Sequence, residues 1–190
     1  MKTHFLSTTA LVIALAFSPI AASSARAHQM GKDALVSSPN AESAPYDLQF
    51  LDTIIEQHSE GMIIFQLAAE MAQNQEVRNY AQMMLDGEQQ EIPFIQDIRH
   101  AIAPNAPEAI NMKLPGMMAL DGYRLEHTQG KKFDQLFLDM AIKHHQGGIT
   151  MARNAIKHGQ NQRVKDRAQI IIDRMTKEIT DMKHMRAAVK

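Results

Sequence analysis

The sequence has no cysteine and no tryptophan, only three tyrosines and seven phenylalanines, and almost no excess of charge of either sign. Each shortage excludes something. Without cysteine there are no disulfides and no thiolate ligands, so an apolar core must hold the fold, and any metal must be taken by His, Met, Asp or Glu. Without a basic excess there is no footprint for nucleic acid as a partner. Long apolar runs are missing after the first segment, so nothing later is suited to spanning a bilayer. A Glu-x-x-His motif is absent throughout, although di-metal ferritin-like sites place one on each of two helices.

The chain opens with MKTHFLSTTALVIALAFSPIAASSARAHQM, which has Lys2 in a charged start, an apolar run from about Phe5 to Phe17, and Ala25 and Ala27 in an A-x-A pattern. This predicts an export signal over residues 1–27, cleaved near Ala27, and a periplasmic or secreted protein with no membrane insertion after cleavage. Its loss removes Lys2 and Arg26, leaving 18 basic against 21 acidic residues, a formal −3. His28 then becomes the first residue, where its amine and ring together could chelate copper. Residues 28–45 are small, polar and Pro-containing, which predicts a disordered segment.

What is abundant is methionine. The chain has 14, and 13 remain after the leader, several times the usual frequency. Thioethers fill irregular core gaps well, so a Met-rich core and a soft-metal site are both open readings.

From Tyr46 the apolar residues recur at three- and four-residue spacing. Shifting the sequence by 87 residues lays YDLQFLDTIIEQHSEG over FDQLFLDMAIKHHQGG, so that Asp47, His58 and Gly61 meet Asp134, His145 and Gly148. QNQEV at Gln73 meets QNQRV at Gln160, and 17 of 53 positions agree without a gap. Each copy reads as an αα-hairpin with a polar turn at QNQ. The fold class expected is all-α: a ferritin-like four-helix bundle over 46–190, built from two tandem hairpins (46–99 and 133–186) with a long crossover connection at 100–132.

The chemistry concentrates in FDQLFLDMAIKHHQGGITMARNAIKHG, residues 133–159. On a helical wheel Lys143, Gln146, Thr150, Arg153 and Lys157 form the solvated side, and His144 and His145 fall on the apolar side. Gly147 and Gly148 each cost about 1 kcal/mol in a helix interior, which implies a packing or site requirement. In an antiparallel hairpin the histidines lie level with Met175 to Glu178, and Met140 with Ile179 to Met182. Met175, Glu178, Met182 and Met185 form one stripe, and Met140, His144, His145, Glu178 and Met182 converge. Met151 lies further along its helix. Thioether with imidazole favours Cu(I), and by extension Ag(I), over zinc or magnesium. The rival reading makes the histidines buried structural groups bonded to Glu178 or backbone. It bears most on His145, because the half that carries its counterpart His58 has Gln57, Thr53 and Ile64 where the other has His144, Met140 and Met151. For Met175 and Met185 core packing is the better single explanation. Met112, Met117 and Met118, in a connection expected to be flexible, suit a metal-loading site. His100, His127, His158 and His184 read as surface residues.

Four stretches together, GMM at Gly116–Met118, FDQLFLDMAIKHHQGGITMA, QNQRV and EITDM from Glu178, resemble the domain of unknown function 305 family of the ferritin-like superfamily. That family includes CopM-like periplasmic copper-binding proteins. The resemblance implies copper binding through His and Met and a role in metal resistance or handling. Carried over by motif, it points to Met140, His144, His145, Met151 and Met182. The residue before the His pair is commonly proline in the family and is Lys143 here. The expected function is therefore a non-enzymatic, exported copper binder, with a copper-delivering or copper-accepting protein as its partner. The alternatives are a structural four-helix module without a physiological metal and, less well supported, a di-metal oxidase.

Overall fold

The computed structural model describes residues 36–189, so the leader and His28 lie outside the described residues. The helices are α1 (Tyr46–Met71), α2 (Gln75–Ile102), a short α3 (Gly122–Glu126), α4 (Gly130–His158) and α5 (Gln162–Ala188), preceded by one 3₁₀ turn at Ala41–Ser43. This is the all-α four-helix fold the repeat implied. The two QNQ turns are stops and starts at once. Asn74 accepts from the amides of Glu76 and Val77, and Asn161 accepts from that of Arg163, so each asparagine caps the second helix of its hairpin.

Within each hairpin the helices pack closely, α1 lies against α4, and α2 and α5 touch more sparsely. The repeats are locked by an exchange. Asp134 at the start of α4 accepts from the amides of Gln73 and Asn74 at 2.8 and 2.9 Å. Its counterpart Asp47 at the start of α1 accepts from Gln160 and Asn161 at 3.0 Å each. Each copy thus satisfies the turn of the other, which runs α1 antiparallel to α4 and gives the bundle a pseudo-two-fold axis.

The connection departs from the expectation of flexibility. Its backbone lacks regular partners, and side chains of α1 and α2 supply them. Asp52 accepts from the Ala109 amide at 2.8 Å, Thr53 Oγ1 from Asn111 at 2.8 Å, and Arg99 donates to the carbonyls of Ala103, Ala106 and Pro107. Leu114, Leu120 and Leu125 then anchor it in the core. Residues 36–45, expected as part of a disordered segment, are placed for the same reason. The Ser38 amide donates to the Ile110 carbonyl at 2.8 Å, and Ser37 Oγ accepts from the Met112 amide at 3.0 Å. No helix among the described residues is long and apolar enough to cross a membrane.

Candidate metal centre

The adjacent glycines of α4 answer to two different neighbours. Gly147 meets the connection: a Cβ there would run into the backbone carbonyl of Gly116, and a Cβ on Gly116 into that of Gly147. Gly116 also has φ +104°, a conformation that favours glycine. Gly148 faces inward, where a Cβ would lie 2.6 Å from Met175 Sδ and 3.3 Å from Gln57 Nε2. Its counterpart Gly61 on α1 makes room for His144, whose Nε2 would be 2.6 Å from an added Cβ. Bare backbone at these positions lets the imidazoles and the connection come close to the helices.

His144 and His145 are both fully buried, as their place on the apolar arc implied. Phe65 stands edge-on to both rings, at centroid distances of 6.1 and 5.9 Å. His145 Nε2 lies 2.8 Å from Glu178 Oε2, which fulfils the expected level of α5. Its Nδ1 and both ring nitrogens of His144 have no hydrogen-bond partner. Burial, reinforced by the neighbouring His145, lowers the His144 pKa to about 3. The ring is therefore neutral, the form that ligates a metal. An unpaired buried polar atom costs about 1–3 kcal/mol, so three on adjacent residues call for an explanation.

The methionines divide. Met151, Met175 and Met182 are fully buried and Met185 nearly so, all within the apolar core, which gives the core-packing reading its due. Met140 is part-buried at the edge of that core. Met117 packs partly against it, and Met118 remains at the surface. The Gly116–Gly147 contact lays the start of GMM against α4 within a turn of the His pair. Among the described residues no three His, Asp or Glu side chains group as a metal site, so an ion at the His pair would take thioether or carbonyl donors as well. His100, His127, His158 and His184 are exposed.

Sequence reasoning missed a second buried polar cluster. His58 Nδ1 lies 3.0 Å from Gln57 Oε1, while its Nε2 lies 3.2 Å from both Arg174 Nη2 and Glu88 Oε2. Arg174 is also 3.5 Å from Glu88 Oε1. Burial, then the Arg174 charge, hold His58 well below the usual histidine range. Burial pushes Glu88 up to about 8, against the pull of Arg174. The one signal available was the alignment of His58 with His145.

Fold and site together define a four-helix bundle of duplicated hairpins with a buried imidazole pair in a methionine-rich core. Residues 100–186 match the family model of DUF305, a domain of unknown function, the family that the motifs resembled. A crystal structure of a DUF305 protein from Streptomyces coelicolor has a TM-score of 0.67 at 21% identity, covering 76% of this chain and 92% of that one. A DUF305 fragment from Deinococcus radiodurans has a TM-score of 0.67 at 19% identity, covering 76% and 97%. CopM in its Cu(II)-bound form has a TM-score of 0.66 at 23% identity, covering 76% and 97%, and CopM has also been solved with Cu(I), with Ag and in apo form. No curated protein matches the chain.

Proposed function

We propose that the chain is an exported, non-enzymatic copper-binding protein that holds Cu(I), and Ag(I) by the same chemistry, at the level of His144 and His145. It would buffer or sequester the metal and exchange it with a delivering or accepting protein. The observation that carries this reading is the trio of unpartnered ring nitrogens on two fully buried imidazoles. Neutral imidazole and thioether add no negative charge, so they suit a soft monovalent ion. A divalent ion in the same apolar setting would be left poorly neutralised. The copper- and silver-bound forms of CopM support the metal, and the A-x-A leader supports export, as does the description of the Streptomyces relative as secreted.

A structural reading is favoured by two observations, the His145–Glu178 hydrogen bond at 2.8 Å and the complete burial of Met151, Met175 and Met182 among apolar neighbours. An anaerobic Cu(I) titration against a coloured competing chelator separates the two readings. The wild type is expected to bind below nanomolar, and a His144→Ala, Met182→Ala double variant at least about tenfold more weakly, about 1.4 kcal/mol. A wild type that cannot compete makes the histidines and methionines core. Equal, tight binding by both proteins moves the site to Met117 and Met118.

A further inference from the structure

The N-terminal half holds a cluster that the copper reading does not use. His58 is fully buried on α1, and its Nδ1 faces the amide oxygen of Gln57 at 3.0 Å. That oxygen only accepts, so Nδ1 carries the proton and Nε2 presents a lone pair. Gln57 is itself fixed, donating from Nε2 to the His144 carbonyl at 3.1 Å. At the other side of the ring, Nε2 and Glu88 Oε2 are 3.2 Å apart, and the Arg174 guanidinium lies against both groups. This is how a metal-binding histidine is held: one ring N–H anchored to an oxygen behind it, the other nitrogen aimed with a carboxylate at a cation. Here the cation belongs to the protein.

Repeat symmetry says why only one half has it. Under the shift of 87 residues Arg174 corresponds to Gly87. A Cβ on Gly87 would lie 3.5 Å from Arg174 Nη1, so the arginine extends over its own bare counterpart. One copy supplies the arm and the other the space for it. For the C-terminal centre the position equivalent to Arg174 is Gly87 on α2, which offers no side chain, and His145 meets Glu178 directly.

We propose that Arg174 occupies, as an internal cation, a divalent-metal site whose ligands are His58 Nε2 and Glu88, and so closes the N-terminal half to metal. Imidazole nitrogen and carboxylate oxygen suit Zn²⁺, Co²⁺ or Cu²⁺ rather than Cu(I), so this site differs in chemistry from the His144–His145 centre. Arg174 keeps 23% of its side chain exposed, so its removal opens the cluster to solvent, and water completes the coordination.

The test is zinc binding to the full chain by calorimetry, with thermal melting and Co²⁺ absorption alongside. Arg174→Ala and Arg174→Gln are each expected to take up one more equivalent of zinc than the wild type, with micromolar affinity. Zinc should raise the melting temperature of either variant and leave that of the wild type unmoved. Adding His58→Gln should abolish the gain, and adding His144→Ala should leave it, which separates this site from the copper centre. If a variant is unfolded without metal, zinc must restore its helical circular dichroism. No extra equivalent in either variant, an extra equivalent that survives His58→Gln, or unfolding of both that zinc does not reverse would each overturn the proposal.

Discussion

The two hairpins share a frame and differ at its centre. Both begin with an aspartate that caps the other's turn, both carry a histidine on the inner face, and both set a glycine one turn later. Yet one centre is closed and the other open. In the first, His58 is held on both ring nitrogens, by Gln57 and by the Arg174–Glu88 pair. In the second, the position of Gln57 is His144, and three ring nitrogens have no partner. The match to DUF305 starts at residue 100, so it takes in the open hairpin and omits most of the closed one. A duplicated scaffold keeps its capping and close-approach positions, and the chemistry lies in the few places where the copies disagree.

A first effect tests whether the frames are equivalent in energy. Asp134 accepts two backbone amides and Asp47 two, each charge-assisted and partly or fully shielded from water. Asp134→Ala and Asp47→Ala should each cost about 2–3 kcal/mol, and the two should agree within about 1 kcal/mol, by urea denaturation. A large cost at one site alone would mean that the two-fold frame is geometric but not energetic.

A smaller effect separates the centres. Gly61→Ala places a methyl 2.6 Å from His144 Nε2 and 3.2 Å from Phe65 Cε2, both atoms of stiff, fully buried rings. Gly148→Ala meets Met175 Sδ and Cε, the end of a flexible side chain. Each gains about 1 kcal/mol of helix propensity. Gly61→Ala should therefore lose about 2 kcal/mol net, and Gly148→Ala should fall within about 1 kcal/mol of the wild type. Cu(I) affinity should fall more in Gly61→Ala. Equal costs would show that the His144 ring has room to move.

Much of this was legible in the sequence, and the gaps have physical causes. The bundle followed from helical periodicity and an ungapped repeat, and both histidines fell on the correct arc of α4. The repeat alignment paired Asp47 with Asp134 and QNQ with QNQ, yet pattern alone does not say that each aspartate serves the other copy's turn. Gly147 was recognisable as a requirement, but its partner Gly116 is backbone from a segment read as flexible, and a backbone approach leaves no side-chain signature. Residues 36–45 have the composition of a disordered segment, and what orders them is hydrogen bonding to the connection, through the Ser38 backbone and the Ser37 hydroxyl. The His58 cluster was hidden because Arg174 carries a full charge on a helix whose other face is solvated. Only its place opposite Gly87 brings it inward.

The finest difference between the copies is at Glu60, which corresponds to Gly147. In the C-terminal copy this position is bare so that Gly116 can approach. In the N-terminal copy it holds a carboxyl that is 5% exposed, with Oε2 unpartnered. Burial, then the charge of Glu56, push its pKa from 4.5 up to about 8. Because the folded value lies above the unfolded one, the protonated group's contribution is fully present below pH 4.5 and is lost as pH rises through 8. Glu60→Gln keeps the size and an amide in place of the neutral acid. Its stability should match the wild type at about pH 4, and the variant should pull ahead by at most about 1.4 kcal/mol per pH unit as pH climbs. The difference should level off above pH 8, where the carboxyl is ionised in both the folded and unfolded chains. Urea midpoints across that range supply the measurement. Curves for wild type and variant that stay parallel would mean the carboxylate is solvated in the fold, and that position 60 resembles its bare counterpart more than its burial implies.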